Sequence, residues 1–376
     1  MTTPKTVLFL IPHLGGGGAE RVTANLVCGL PESRFCVHLG LVTQTAADAP
    51  DLPAHVRVHC LGANRVRSAI WPLLRLVWSV KPDLIFSNMF HVNFLVLLLR
   101  PLFPRRTRCI IRQNGMTVPE TGTGDFARTL YRALYPHADT VVCQSEAMAQ
   151  EMRLLLGSAR NLRVLPNPVL PNPARPDPVS ASGESPLTGP RSLWRGPGPH
   201  LLAIGRMTRQ KGFDMLLPAF RQTLCSFPAA ELTILGQGPE ETALKTLCRD
   251  LGIDAQVHFA GYVANPQEWF HGASAFVLSS RHEGISNALL EAASAGLPIV
   301  TTPALGGVAE LLSNQPGTWI AHEISTQAIA ETLLTALESL SPCERFPHPW
   351  LQAFRMENAL PRFENLIDEV LAGAHA

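Results

Sequence analysis

The stretch Ser279–Ala295, SSRHEGISNALLEAASA, follows the apolar run Ala275–Leu278, and its reading decides the fold. A short strand that empties through Gly284 into an Ala/Leu-rich segment predicts strand, loop and helix. Glu283 then stands at the strand's carboxyl end, where open α/β sheets bind ligands. Ser286 takes the N-cap position of a helix running on from Asn287, and Asn287 and Glu291 fall on one of its faces. Leu289, Leu290 and Ala293 are left to pack. One carboxylate in the loop, another a turn inside the helix, and backbone amides between them at a positive helix end suit a phosphorylated, hydroxyl-rich ligand.

Working back from this stretch, the apolar run Leu201–Ile204 leads directly into GRMTRQKGF, so Arg206 and Lys211 converge on the carboxyl end of a second strand. Paired cations at that position are what a departing diphosphate needs when no metal neutralises it. Strands are expected at Glu231–Leu235 and Gln256–Ala260, each followed by a glycine turn, and a further strand at Leu297–Thr301 precedes ALGGVAELL.

At the other end of the chain, Thr6–Ile11 reads as a buried strand, Gly15–Gly18 as a turn and AERVTANLVCGL as a helix with Glu20 in its first turn. Taken alone the glycine run is equally a flexible turn, since it has neither the G-x-G-x-x-G spacing nor the lysine of a P-loop. Strands follow at Val37–Val42, Val56–Leu61, Asp83–Phe86, Cys109–Arg112 and Thr140–Cys143, and Ser145 caps a helix that carries Met148 and Met152. Strand alternating with helix is the doubly wound pattern.

With 376 residues, the chain is long enough for two domains. Charged residues make up 16%, hydrophobic ones 46%, and the net charge is +1, which argues against disorder and against a nucleic-acid surface. The first apolar run breaks at Pro12 and the glycines, fitting a strand better than a signal peptide. Leu84–Leu99 is interrupted by Ser87, Asn88, His91 and Asn93, so no transmembrane helix is expected. Eight scattered cysteines, without C-x-x-C or His/Cys metal spacing, are expected as reduced thiols in a cytoplasmic protein.

The two glutamates of the opening stretch, with Gly284, Asn287 and the trailing AGLPIV, resemble the E-x7-E signature of family 4 glycosyltransferases. GRMTRQKG is similar to that family's G-R-x-x-x-x-K-G, GGGGAERV to its G-G-x-E opening, and ALGGVAELL to its G-G-V-x-E-x-L turn. The resemblance implies the GT-B fold: α/β, two Rossmann-like doubly wound domains facing across a cleft. Residues 1–168 with the C-terminal helix (357–376) would bind the acceptor, and 200–356 the nucleotide sugar. VLPNPV at 164–169 closes the first domain in relatives, and the Pro-rich 169–199 reads as a linker.

The implied activity is retaining transfer of a hexose or N-acetylhexosamine from a nucleotide sugar, UDP-linked, to a glycan or lipid-linked glycan acceptor in cell-surface polysaccharide synthesis. The nucleotide sugar is a substrate, and neither cofactor nor metal is expected. Carried over residue by residue, Arg206, Lys211 and Glu283 are the catalytic candidates. Donor contacts are implied at Gly17, Gly18, Gly205, Val263, Gly284, Ile285, Ser286, Asn287 and Glu291. Acceptor-side candidates are His91, Gln113 and Asn114. The chain departs from the family where Asn88 replaces a common histidine and where Arg112, Gln113 and Asn114 replace a T-x-H-N word. A catalytically silent sugar-nucleotide-binding scaffold, or an epimerase or phosphorylase of the same architecture, are the alternatives.

One further partner is suggested by the residues themselves. Between Arg65 and Arg108 seven arginines mix with Trp71, Leu73, Leu74, Trp78 and Phe103, the composition of a surface that meets anionic lipid. Solvated arginines over a buried apolar core is the competing reading. The first would place a cytoplasmic enzyme peripherally at the inner face of the plasma membrane.

Overall fold

The computed structural model describes residues 3–15, 17–43, 52–115, 125–157, 161–169, 197–263 and 265–373. The expected linker therefore lies almost wholly outside the described residues. The chain divides into two compact units, Met1–Leu170 with Ala353–Ala376, and Pro171–Gln352.

In the first unit β1 (Lys5–Ile11), β2 (Phe35–Leu41), β3 (Arg57–Cys60), β4 (Leu84–Asn88), β5 (Arg108–Arg112), β6 (Thr140–Cys143) and β7 (Leu162–Val164) form a parallel sheet in the order 3-2-1-4-5-6-7. The reversal between β1 and β4 is a topological switch point, and ligands bind such sheets outside the carboxyl strand ends. Helices α1 (Gly18–Gly29), α2 (Ile70–Val80), α3 (Phe90–Leu99), α4 (Asp125–Leu134) and α5 (Glu146–Leu156) connect the strands. Because both faces of the sheet are covered at its centre, strands such as β1 and β4 are apolar on both sides, as a run such as VLFLI requires, whereas the edge strand β3 is mostly exposed. On β1, Leu8 and Leu10 join the core beneath α2 and α3. Val7, Phe9 and Ile11 join the opposite core with Val22, Leu26 and Val27 of α1.

The second unit repeats the plan. Strands β8 (His200–Ile204), β9 (Glu231–Leu235), β10 (Val257–Gly261), β11 (Ala275–Leu278), β12 (Ile299–Thr301) and β13 (Thr318–Ile320) lie parallel in the order 10-9-8-11-12-13, with the switch between β8 and β11. Its helices are α6 (Phe213–Thr223), α7 (Glu241–Asp250), α8 (Gln267–Gly272), α9 (Asn287–Ser294), α10 (Val308–Leu312) and α11 (Thr326–Ser339). Arg206 and Lys211 follow β8 while Glu283 follows β11, so the two strands flanking the switch deliver the candidate residues.

The last helix, α12 (Met356–Ala372), belongs to the first unit. Its stripe of Phe363, Leu366, Ile367 and Val370 is buried in that unit's core, where the Phe363 ring meets Phe86 at 5.2 Å and Phe9 at 6.1 Å. Asp368 on its outer side pairs with Lys5 and Arg34, each at 2.6 Å. The fold is thus two Rossmann-like α/β units, with the C-terminal helix returned to the first. Among the described residues no helix is long and apolar enough to cross a membrane.

Candidate active site

In the second unit the site is assembled by a short 3-10 turn, Arg209–Lys211, between β8 and α6, set against the loop that leaves β11. Gly212 ends the turn at φ 67°, where a side chain is strained, and a Cβ there would lie 2.0 Å from the Ser279 carbonyl oxygen. This close approach brings Lys211 onto the β11 loop. The Ser279 hydroxyl donates to the Lys211 carbonyl at 2.8 Å, and the Lys211 ammonium pairs with the Glu283 carboxylate. Ser280 donates to the same carboxylate oxygen at 3.1 Å. The loop is held on its far side by Gly306 (φ 121°), whose missing Cβ would sit 2.0 Å from the Glu283 carbonyl oxygen, while the Glu283 amide donates to the Leu305 carbonyl at 2.7 Å.

Arg281 braces the same loop. Its guanidinium makes two bonds of 2.7 Å to the Asp214 carboxylate and one of 2.7 Å to the Arg209 carbonyl, tying the β11 loop to both the turn and α6. Burial by itself would raise the Asp214 pKa, but the hydrogen bonds and charge of Arg281 outweigh it and hold the carboxyl below its ordinary value. Neither Arg281 nor Asp214 was among the sequence candidates. The pair is separated by the whole span between α6 and β11, so only the topology brings it together; the arginine inside the opening stretch was the available signal.

The structure brings Gly205, Lys211, Glu283 and the α9 segment together in one unit. Arg206 is exposed just past β8, and Gly205 lies against the Lys211 stem. Gly284, Ile285 and Ser286 are buried, and α9 begins at Asn287 as expected, with Glu291 half-buried one turn on. Ser286 occupies the N-cap position, yet its side chain makes no capping bond, which corrects the expectation of a serine cap. Val263 is half-buried just beyond β10, in the loop neighbouring the β9 turn. Among the described residues no group of three or more His, Cys, Asp or Glu side chains is arranged to hold a metal ion.

The remaining candidates lie on the first unit. Gly17 is the N-cap of α1, and Gly18 is its first residue. The buried Glu20 carboxylate lies against Gly17, 2.4 Å from where a Cβ would stand. His13, at the end of β1, places Nδ1 3.7 Å from Glu20 Oε1. His91 sits half-buried in the first turn of α3, its pKa lowered by burial and next by the charge of His13. Met89, just before that helix, has φ 81°, a strained value for a residue with a side chain.

Gln113 and Asn114 follow β5 with opposite fates. Gln113 is buried, its side-chain amide donating to the Gly115 carbonyl and the Tyr131 hydroxyl and accepting from the Tyr135 hydroxyl. Asn114 has both side-chain amide atoms buried without a hydrogen-bond partner among the described residues. Asn88, standing where a histidine is common in the resembled family, fastens α1 by donating to the Ala19 carbonyl at 3.1 Å and to Thr23 at 2.9 Å. His13 and Glu20 were missed as candidates, although a histidine at a strand's carboxyl end beside a glycine turn is a readable sign.

Comparison with known proteins extends the picture. Residues 198–339 match the domain model described as "Glycosyl transferases group 1", and residues 17–168 the one described as "Glycosyl transferase 4-like domain". The chain is 30% identical over 183 residues to the lipopolysaccharide core biosynthesis glycosyltransferase LpsE of Rhizobium meliloti, covering 49% of each protein. It is 23% identical over 346 residues to an N-acetylgalactosamine-N,N'-diacetylbacillosaminyl-diphospho-undecaprenol 4-alpha-N-acetylgalactosaminyltransferase of Campylobacter jejuni, covering 88% of this chain and 89% of that one. The match to an uncharacterized glycosyltransferase of Methanocaldococcus jannaschii is 25% over 258 residues, 66% of this chain and 62% of the relative. The chain thus spans about half to three fifths of two of these relatives and most of the third. Among solved structures, Anabaena HepE in complex with UDP-glucose superposes with a TM-score of 0.78 at 19% identity, over 97% of this chain and 99% of that one, a likeness of fold.

Proposed function

Because the chain belongs to the glycosyltransferases that carry this pair of domains, we propose that it transfers a hexose or N-acetylhexosamine from a UDP-linked nucleotide sugar to a glycan or lipid-linked glycan of a cell-surface polysaccharide, with retention at the anomeric carbon. The observation that carries the reading is Lys211 beside Glu283 where the strands flanking the second switch point end.

In this reading Lys211 and exposed Arg206 neutralise the donor diphosphate as the bond from the anomeric carbon to its phosphate oxygen breaks. The amides from Gly284 to Asn287 face the same diphosphate at the positive end of α9. Glu283 accepts hydrogen bonds from the transferred sugar, and Glu291 from the ribose hydroxyls. As the new bond forms between the anomeric carbon and the acceptor oxygen, the acceptor's proton passes to the departing phosphate oxygen on the same face. His91 and Asn114 orient that acceptor on the first unit. Fixed cations do the neutralising, so no metal is required. The nucleotide in the HepE complex and the diphospho-undecaprenol acceptor in the Campylobacter enzyme's name support the donor and acceptor classes.

The test is UDP release from a panel of UDP-sugars, with and without a polyprenyl-diphosphate oligosaccharide. Release with at least one donor, faster with acceptor, is expected. Measurable donor binding without release from any donor would replace the enzyme by a silent sugar-nucleotide-binding subunit.

A further inference from the structure

At the carboxyl ends of β5, β6 and β7 the first unit buries a cation. Arg112, the last residue of β5, is 2% exposed. Its guanidinium donates from Nη2 to Asn167 Oδ1, while Nε lies buried without an acceptor among the described residues. Burial lowers the Arg112 pKa to about 10, so the group stays charged at neutral pH. Among the described residues no Asp or Glu pairs with it. Glu146, which opens α5, pairs with Arg153, and Asp139, just before β6, pairs with Arg100 and Arg108. The Cys143 thiol at the end of β6 is pushed up to about 12 by burial and brings no charge. A guanidinium taken out of water without a counter-charge weakens the fold, which marks its place as one for binding rather than for packing.

The groups gathered around it are neutral carboxamides. Asn167, just past β7, donates to Gln144 Oε1 at 3.4 Å, and Gln144, just past β6, donates to the Asn114 carbonyl at 3.1 Å. Both side chains are buried. Three adjacent strands thus deliver one cation and its holders to a single sheet end. Alternation along the end of β5 sets Asn114 on the side of Arg112 and Gln113 on the other, toward Tyr131 and Tyr135. The Asn114 amide, without a hydrogen-bond partner among the described residues, supplies a further donor on that side.

We propose that Arg112 and Asn114 form a carboxylate site, and that the acceptor bound by the first unit is an acidic sugar, a uronic acid, whose carboxylate accepts from the guanidinium and the Asn114 amide. This rests on the proposed transfer reaction and names its acceptor class. One cation among carboxamides matches the single charge of a uronate, whereas a diphosphate brings more charge than Arg112 balances.

The experiment measures binding, in the presence of UDP, of octyl glucuronide, galacturonide and mannuronide against the matching neutral glycosides and against an octyl diphosphate. At least one uronide should bind about tenfold or more tighter than its neutral twin. Arg112→Gln should reduce that ratio about tenfold. Asn167→Asp is the second variant: nearly isosteric, it supplies the counter-charge at the atom that already meets Nη2. It should raise the thermal midpoint and abolish the preference for the uronide, whereas an arginine with only a structural role would gain the stability and leave the ratio unmoved. Should Arg112→Gln fail to fold, the wild-type series and Asn167→Asp still decide. Equal binding of acidic and neutral sugars, tighter binding of the diphosphate, or a preference that survives Asn167→Asp would each overturn the proposal. So would faster UDP release from UDP-glucuronate than from UDP-glucose that Arg112→Gln reverses, since the carboxylate would then belong to the transferred sugar. UDP release without acceptor, read on the same preparations, keeps the two readings apart: release without any preference for a uronide leaves the transfer reaction standing, and no release from any donor removes both.

Discussion

The Lys211 ammonium and the Glu283 carboxylate, 72 residues apart in the chain, form an ion pair in which each side chain is only 15% and 13% exposed. A pair this sheltered costs desolvation, so its place at two adjoining strand ends points to use rather than to surface solvation. A ligand diphosphate can share the ammonium with Glu283, and a sugar hydroxyl can share the carboxylate with Lys211.

That relationship separates stability from catalysis. Lys211→Met strands the Glu283 charge and should lower stability by about 1–3 kcal/mol, while turnover falls about a hundredfold or more. Lys211→Met combined with Glu283→Gln should regain part of the stability and none of the turnover. Urea denaturation and saturating-donor kinetics read the two quantities. A double variant that recovers activity would reduce the pair to scaffolding.

Arg206 is the complementary case. Since its side chain is exposed, Arg206→Ala should leave unfolding unchanged within about 0.5 kcal/mol, yet reduce turnover about a hundredfold. Near-normal turnover at saturating donor would remove Arg206 from the diphosphate site. The same two cations predict that UDP release persists in excess chelator; complete loss, restored by magnesium or manganese, would refute charge neutralisation by side chains alone.

The β11 loop depends on Gly306. With φ at 121° and only 2.0 Å between its imaginary Cβ and the Glu283 carbonyl oxygen, Gly306→Ala forces the loop away from Leu305. A cost of about 1–3 kcal/mol is expected, together with a fall in turnover, because Glu283 moves with its own backbone. Unaltered kinetics in a destabilised variant would mean that the loop position does not matter to the chemistry.

Asp214 supplies the pH dependence. Its folded-state pKa lies below the ordinary value on account of Arg281, so the pair's stabilisation is present above the unfolded carboxyl's pKa and is lost as pH falls through the folded one. At 40% side-chain exposure solvent screens the pair, and Asp214→Asn should cost only about 1 kcal/mol at pH 7. As pH falls below the range of free carboxyls, about 4, and through the lowered folded-state value, the wild type should lose that margin, and the two unfolding curves should converge. A constant gap across the range would show that the carboxylate's charge is not what Arg281 recognises.

These variants also mark how far the sequence could be read. The apolar strands announce themselves because each is covered on both faces, and the Arg206 to Lys211 word and the Glu283 to Glu291 word are short enough to carry their geometry locally. Pairings made by topology are not legible in that way, as Arg281 with Asp214 shows. Ser286 shows the opposite limit, since the residue type predicts a cap and the loop leaves its hydroxyl unused for that purpose. Gln113 and Asn114 are neighbours of equal polarity, and only the Tyr131 and Tyr135 hydroxyls behind the sheet decide which of them is spent on packing. The apolar members of the arginine-rich surface likewise look alike in composition, whereas helix phase separates exposed Trp71 and Trp78 from buried Leu73 and Leu76.

The acceptor side can be tested apart from the donor side. His91 is held toward its neutral form by burial and by His13, and a neutral imidazole can accept a hydrogen bond from an acceptor hydroxyl. Asn114, with buried amide atoms that lack a hydrogen-bond partner among the described residues, can bond a second hydroxyl. His91→Ala and Asn114→Ala should each lower transfer to the glycan acceptor about tenfold or more, while slow donor hydrolysis by water stays within about twofold, because nothing in the Lys211 and Glu283 arrangement is touched. Gln113→Ala should instead lower stability by about 1–3 kcal/mol, having removed the partner of two buried tyrosine hydroxyls. Measuring UDP release with and without acceptor on the same preparations separates the outcomes. Equal losses in hydrolysis and transfer for His91→Ala would move that histidine from acceptor binding to the chemical step, and no loss in either would leave it a packing residue of α3.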